Sequence, residues 1–408
     1  MREYIRLLPE AVGNAALSTL SGIAAETWQA PLFPEISKGT FISRPNRFVL
    51  RCKTPSGIIE AYLPNPGRLW ELLLPGSIVH LVKKELSSAG KLSHTAVAVE
   101  RGGTPILLHT HLANAVVARL LAAGKVPGLE GAKITRAEVT VRHSRFDFLL
   151  EKDQRPFLLE VKSCSLFGQR LAMFPDAVTA RGKRHIEELL AISSQGTPCG
   201  IIFLVHWPHA DYFLPDYHTD LEFALTFQKM KDKLFIKALS LEWRPDLSLG
   251  PNVREVVIPW KTISQEAKDR GSYIIMFSIA ADAMITVGNL GKMSFQQGYY
   301  LYVDTAQEEL SKHIKRHLNH KKIAQGDIDH LRNRAASCLA IPIRSSVPLE
   351  QEIAGAVEAI ADATLPFSGS SDRLHANDLY YFADNPLHLP LFMELLQYFR
   401  MDRLANIL

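Results

Sequence analysis

Between residues 146 and 164 the chain reads FDFLLEKDQRPFLLEVKSC. Two apolar runs of strand length flank a short polar turn, a pattern that constrains the segment to strands with a return between them. Side chains alternate across a strand, so Glu160 and Lys162 point to one face while Val161 packs behind them. Asp147 precedes Glu160 by 160 − 147 = 13 residues, enough for a hairpin that brings it back alongside. Charged side chains are rarely buried unless they are paired or bind a metal. The function of the chain turns on which of the two applies here.

In the metal reading, Asp147 and Glu160 converge on a hard cation. Mg²⁺ takes carboxylate oxygens, keeps several waters and completes its shell with substrate phosphate oxygens. Lys162 then stands where it can orient a nucleophile or neutralise charge in the transition state. In the plain reading, Glu160 and Lys162 are an edge-strand ion pair of small energetic value, and Asp147 pairs with Arg145 or Arg155. Spacing alone leaves both open.

The surroundings extend the pattern. Before the hairpin, ANAVVARLLAA (113 to 123) has a helical period, and ITRAEVTVRHS is strand-like. After it, DAVTARGKRHIEELLAISSQG reads as a helix with Asp176 as N-cap and a stop at Gly196. Its first turns carry Arg181, Lys183, Arg184 and His185, where cations oppose the helix dipole. A phosphate-facing role explains them; a solvated charged face, with Glu187 and Glu188, is the alternative. The run CGIIFLVHW (199 to 207) is almost wholly apolar, as in a sheet covered on both faces.

At 408 residues the chain is too long for one ordinary domain, and three are expected. Residues 1 to 35 read as an N-terminal extension, whose run AVGNAALSTLSGIAA is helical rather than a signal segment. Residues 36 to 112 contain short strands punctuated by Gly, Pro and Ser, the mark of a small barrel or sandwich. Residues 113 to 245 form the α/β unit. Residues 246 to 268, with Pro245, Gly250 and Pro251 at the start, read as a linker. Residues 269 to 408 begin with the strands GSYIIMFSI and GYYLYVDT about a turn and continue into the basic helix EELSKHIKRHLNHKK.

A net charge of +4 and a pI near 8.7 permit nucleic acid as a partner without requiring it. Four scattered cysteines without metal-ligand spacing fit a reducing cytoplasm. No run approaches the roughly 20 apolar residues that span a bilayer, so no membrane partner is expected. A homo-oligomer is left open.

The strings PNPGRLWELLLPG (64 to 76), SRFDFLLE, LLEVKSCSL and MFPDAVTARGKRHIEELL, in that order, closely resemble the sugar fermentation stimulation protein family of bacteria and archaea. The resemblance covers about residues 36 to 245. It implies an OB-like barrel followed by a restriction-endonuclease-like domain of the PD-(D/E)XK superfamily, in a family described as nucleic-acid binders or nucleases. By position, Asp147, Glu160 and Lys162 become the catalytic triplet, with Asp147 and Glu160 holding Mg²⁺ or Mn²⁺. The superfamily usually takes a further acid from the preceding helix. Residues 113 to 123 hold none, so either Glu138 supplies it or two acids suffice.

An OB-like barrel supplies stacking platforms and a cationic groove for a single strand. Here Arg44, Arg47, Arg51, Lys53 and Arg68 interleave with Phe41, Phe48, Tyr62 and Trp70. As alternating strand residues, Phe41 and Phe48 are expected in the core. Arg68 and Trp70, after the Asn65-Pro66-Gly67 turn, are expected to be exposed contacts, with Arg44 and Arg47 beside them.

The last unit resembles an uncharacterised prokaryotic domain distantly related to GIY-YIG nucleases, over about 269 to 390. Its motifs are GSYIIMF, GNLGKMSFQQGYYLYVDTA, KHIKRHL, DIDHL and SSDRLHANDLYYF. The resemblance makes Tyr273 and Tyr302 the paired tyrosines, with His317 on the next helix. Asp304 replaces a glycine, His313 an arginine, Gly326-Asp327 a tryptophan-histidine pair, and Arg373 and His375 two cysteines. These departures imply a degenerate accessory whose cations, Lys312, Lys315, Arg316, Lys321 and Lys322, hold phosphate without chemistry. The expected whole is a Mg²⁺-dependent nuclease for DNA or RNA. The alternatives are a non-catalytic DNA-binding regulator of sugar-metabolism genes and a fusion in which the last domain recruits a repair partner.

Overall fold

The computed structural model describes residues 28–84, 92–319, 326–367 and 378–408. The expected helical extension lies mainly outside them, as do Lys321, Lys322, Arg373 and His375. Two compact units result: the described residues through Asp216 together with Glu222–Pro259, and Tyr217–Leu221 together with Trp260–Leu408.

The first unit opens with a barrel. Strands β1 (Ser37–Asn46), β2 (Val49–Thr54), β3 (Gly57–Tyr62), β4 (Ile78–Lys83), β5 (His94–Arg101) and β6 (Thr104–Leu107) pair in the order β3-β2-β1-β4-β5-β6. A parallel pairing of Ala61 and Tyr62 with His94 and Thr95 closes β1 to β5 into a five-stranded OB barrel. Alternation does the sorting: in β2, Leu50 and Cys52 are buried while Arg51 and Lys53 face outward. Register shifts in β1, between Phe41 and Ser43 and again before Asn46, bend the strand as closure requires. Past these irregularities the period is lost, so Phe41 is buried as expected but Phe48 is 40% exposed.

The α/β layer follows. Helix α1 (Ala113–Ala122) precedes the meander β7 (Lys133–Val141), β8 (Ser144–Lys152) and β9 (Arg155–Cys164). Two short strands, β10 (Leu166–Phe167) and β11 (Leu171–Phe174), lead to helix α2 (Ala180–Ser193) and strand β12 (Cys199–Val205). Then come β13 (Tyr212–Pro215), α3 (Leu221–Gln228), β14 (Phe235–Trp243) and β15 (Leu249–Glu255). The main sheet runs β15-β14-β12-β9-β8-β7, with β9, β12 and β14 parallel. Every residue of β12 is buried, as its unbroken apolar sequence requires. The cap of α2 is Thr179, whose Oγ1 accepts the N–H of Gly182 at 2.9 Å, rather than Asp176.

The segment 246–268 is not a linker. Leu249–Glu255 pairs antiparallel with β14 as the sheet edge, and Trp260–Glu266 is helix α4, which belongs to the second unit. Pro251 is tolerated because β15 is an edge strand. The barrel is also no separate body, since it lies in one compact unit with the α/β layer. Arg101 makes the join explicit: its guanidinium donates to the carbonyl of Phe167 at 2.8 Å and stands over the stacked rings of Phe167 and Trp207.

The second unit is an α+β domain. Strands β16 (Gly271–Ile279), β19 (Gly298–Ala306), β20 (Ser337–Arg344), β21 (Ala363–Leu365) and β22 (Leu379–Phe382) form an antiparallel sheet, β20-β16-β19-β22-β21. What the sequence suggested as a turn between β16 and β19 is a hairpin of its own, β17 (Ala283–Val287) and β18 (Gly291–Phe295). Helix α5 (Leu310–Leu318) follows β19.

Candidate active site and nucleic-acid surface

Strand β9 presents its residues alternately to two layers. Leu159 and Val161 pack into the core that contains α1, and Leu158 packs with Leu189 and Ile192 of α2. Glu160 and Lys162 share the α2 face. Helix α2 buries Gly182, His185, Ile186, Leu189 and Ile192, a stripe at helical spacing that carries His185 inward with the aliphatics. The imidazole therefore meets the sheet, and its Nδ1 lies 2.7 Å from Oε1 of Glu160.

Strand β8 turns over at Asp147. Residues two apart should share a face, yet Phe146 packs in the α2 cluster and Phe148 in the α1 cluster. The register of β7 and β8 sets Ala137 opposite Phe148 and Val139 opposite Phe146, so the reversal falls at Glu138 and Asp147. Glu138 has φ +52°, the left-handed region that a residue with Cβ rarely enters. Its side chain is exposed and lies 3.5 Å from Arg145. Glu138 thus marks the reversal through its backbone, while its carboxylate pairs with Arg145.

The rotation swings the Asp147 carboxylate between β9 and α1. Oδ2 accepts the N–H of Val161 at 2.7 Å, and Oδ1 accepts Nδ2 of Asn114 at 2.7 Å. Asn114 stands in the first turn of α1, where the resemblance leads one to expect an acid. Glu160 is 2% exposed; its Oε1 takes Lys162 Nζ–H as well as His185, while Oε2 is buried with no hydrogen-bond partner.

Electrostatics separates the two acids. Burial, then the charge of Glu160, pushes Asp147 up to about 6, against the opposing pull of Lys162, Asn114 and the Val161 amide. Burial also works against ionisation of Glu160, but Lys162 and His185 outweigh it and hold this carboxyl below its ordinary value. The structure thus brings Asp147, Glu160 and Lys162 together. No group of three or more His, Cys, Asp or Glu placed to hold a metal occurs among the described residues.

The expected phosphate contacts fare unevenly. Arg44 donates to the carbonyls of Arg68, Arg47 and Asn65, so it braces the loop instead of facing solvent. Arg68 stacks on Trp70, donates to the Asp176 carbonyl and lies 3.8 Å from Asp216. It clamps the barrel to the segment leading into α2. Gly67 belongs to the same clamp, since a Cβ there would overlap Asp176 Oδ2. Lys183 pairs with Glu222 at 2.6 Å. Arg181 is exposed and places Nε 3.4 Å from Nε2 of His185. Arg47 is exposed above the Phe48 ring, 5.1 Å from its centroid, and Phe48, expected in the core, is itself exposed. Lys315 and Arg316 are exposed on α5.

In the second unit Tyr273 is buried, and its hydroxyl donates to Asp304 at 2.7 Å with His317 Nε2 at 3.1 Å. Burial, followed by the Asp304 charge, raises the phenol far above its ordinary value. The residue that departs from the glycine of the resembling domain thus occupies the hydroxyl of the first tyrosine.

A five-stranded OB barrel fused to a restriction-endonuclease-like α/β layer, with two carboxylates and a lysine gathered on adjacent strands, defines the class. Comparison with known proteins agrees. Residues 42–108 match the SfsA N-terminal OB domain, residues 111–246 the sugar fermentation stimulation protein RE domain, and residues 272–400 a domain of unknown function, DUF123. The sugar fermentation stimulation protein homolog of Moorella thermoacetica is 39% identical over 193 residues, which cover 47% of this chain and 83% of that protein. The homolog of Methanosphaera stadtmanae is 37% identical over 202 residues, 48% of this chain and 84% of that protein. The solved structure of Pyrococcus furiosus SfsA in complex with Ca²⁺ superposes with a TM-score of 0.52 at 28% identity, over 55% of this chain and 96% of that one. The chain belongs to the sugar fermentation stimulation protein family.

Proposed function

We propose that the chain is a divalent-metal-dependent nuclease that hydrolyses phosphodiester bonds of DNA or RNA. The observation that carries this reading is the bare Oε2 of Glu160: a buried carboxylate oxygen without a donor, coupled to a second carboxylate, is suited to a cation. Asp147 and Glu160 would hold Mg²⁺ or Mn²⁺, and the relative from Pyrococcus furiosus was solved with Ca²⁺. An ion at such a site polarises the phosphodiester and activates water. Lys162 supplies a positive charge beside the carboxylates for the anionic transition state. Arg181, exposed at the start of α2, and the Arg47 and Phe48 pair on the barrel hold the strand. Lys315 and Arg316 offer further phosphate contacts from the accessory domain.

The test is incubation with single- and double-stranded DNA and RNA in Mg²⁺, Mn²⁺ or EDTA. Glu160→Ala and Lys162→Ala should each lower metal-dependent cleavage by about 100-fold or more. Cleavage unchanged in both variants removes these residues from the chemistry.

One observation favours a second reading, a DNA-binding regulator without catalysis. Lys162 already rests on Glu160, and both oxygens of Asp147 accept hydrogen bonds, so the pocket is satisfied except at one atom. On that reading binding persists, weakens with salt, and no metal elicits cutting.

A further inference from the structure

A helix-borne histidine adds a role to this site, and the inference rests on the ion reading of Asp147 and Glu160. His185 is buried on the apolar stripe of α2, with the ring of Phe146 at 5.6 Å between centroids. Its two nitrogens meet different chemistry. Nε2 lies 3.4 Å from Nε of Arg181. A guanidinium has only donors to offer, so Nε2 must accept. The ring proton then sits on Nδ1, which donates to Oε1 of Glu160. Together with Lys162 it satisfies Oε1, and Asn114 and the Val161 amide satisfy both oxygens of Asp147. Of the four carboxylate oxygens only Oε2 of Glu160 has no donor, and it is buried.

We propose that His185 is a positioning residue: in the Nδ1–H tautomer imposed by Arg181, it fixes the Glu160 rotamer so that Oε2 is the oxygen Glu160 offers to the ion it shares with Asp147. A core histidine serving only to neutralise a carboxylate does not account for an acceptor left bare in the interior. An oriented carboxylate does, because hydrogen-bonding partners behind a ligand set its direction and basicity.

Titration of the intact chain with Mn²⁺ by calorimetry tests this. Wild type should bind Mn²⁺, and Glu160→Ala should abolish the binding. His185→Leu, which loses the donor, should weaken binding by about 10- to 100-fold. His185→Asn, whose amide can replace Nδ1–H, should stay within about threefold of wild type. Equal Mn²⁺ affinity in wild type and His185→Leu overturns the positioning role and leaves the ion site standing. No Mn²⁺ uptake by wild type, or uptake unaffected by Glu160→Ala, removes the ion site and the inference with it. The tautomer is checked in the unaltered protein: the ¹⁵N shifts of His185 should show a protonated Nδ1 and a bare Nε2, and the opposite pattern overturns the proposal even if a variant fails to fold.

Discussion

Replacing Asp147 by Asn should stabilise the metal-free protein while abolishing the proposed metal-dependent cleavage. The folded chain holds Asp147 at about 6 against an ordinary 3.8, because burial and the Glu160 charge disfavour its ionised form. Each factor of ten in acidity is worth about 1.4 kcal/mol. The difference, 6 − 3.8 ≈ 2, therefore corresponds to a cost of about 3 kcal/mol for folding with Asp147 ionised. This is an upper figure, since the side chain retains some exposure to solvent. Asparagine keeps an oxygen for the Val161 N–H, and its amide can meet Asn114 once that side chain turns its oxygen inward. The sign follows from the direction of the shift. An acid raised in the folded state destabilises folding above its folded value, and that cost fades as pH falls through 6 and is gone below about 4. Urea unfolding in EDTA should show Asp147→Asn more stable than wild type by about 2 to 3 kcal/mol at pH 7.5, with the gain shrinking toward zero at pH 4. A variant equal to or weaker than wild type at pH 7.5, or a gain independent of pH, refutes the electrostatic account of the site. Adding Mn²⁺ should stabilise wild type and leave the variant unmoved.

Arg68→Ala should lower stability by about 1 to 3 kcal/mol, because it releases the clamp on Asp176 and Asp216, and binding should suffer only in proportion to unfolding; chemical denaturation beside a filter-binding assay separates the two. Gly67→Ala should cost about 1 to 3 kcal/mol by driving a methyl into the Asp176 carboxylate, read as a lower melting temperature. Phe48→Ala should leave melting unchanged, since the ring is 40% exposed, yet weaken single-strand binding by about 1 to 3 kcal/mol. Arg47→Ala should reduce the salt dependence of that binding by about one phosphate contact.

Local periodicity carried much of the design. Alternation in LLEVKS placed Glu160 and Lys162 together, and the unbroken apolar run of β12 announced a strand covered on both sides. The OB and endonuclease-like motifs appeared in order along the sequence and matched the architecture. What escaped depended on partners distant in sequence. Arg44 and Arg68 looked like surface cations, but carbonyls and acids brought in by folding claimed them. His185 stood among three cations, and only its place on the stripe of 182, 186, 189 and 192 could have shown that it points inward.

The sequence by itself determined which side chains share a strand face, because residue type and the twofold repeat of a strand are local properties. Only the tertiary structure decided how they are poised. A left-handed residue at Glu138 accompanies the reversal of β8 at Asp147, Asn114 arrives from α1, and α2 delivers His185 to Glu160. Burial and charge coupling depend on all of these at once, and no stretch of chain contains them.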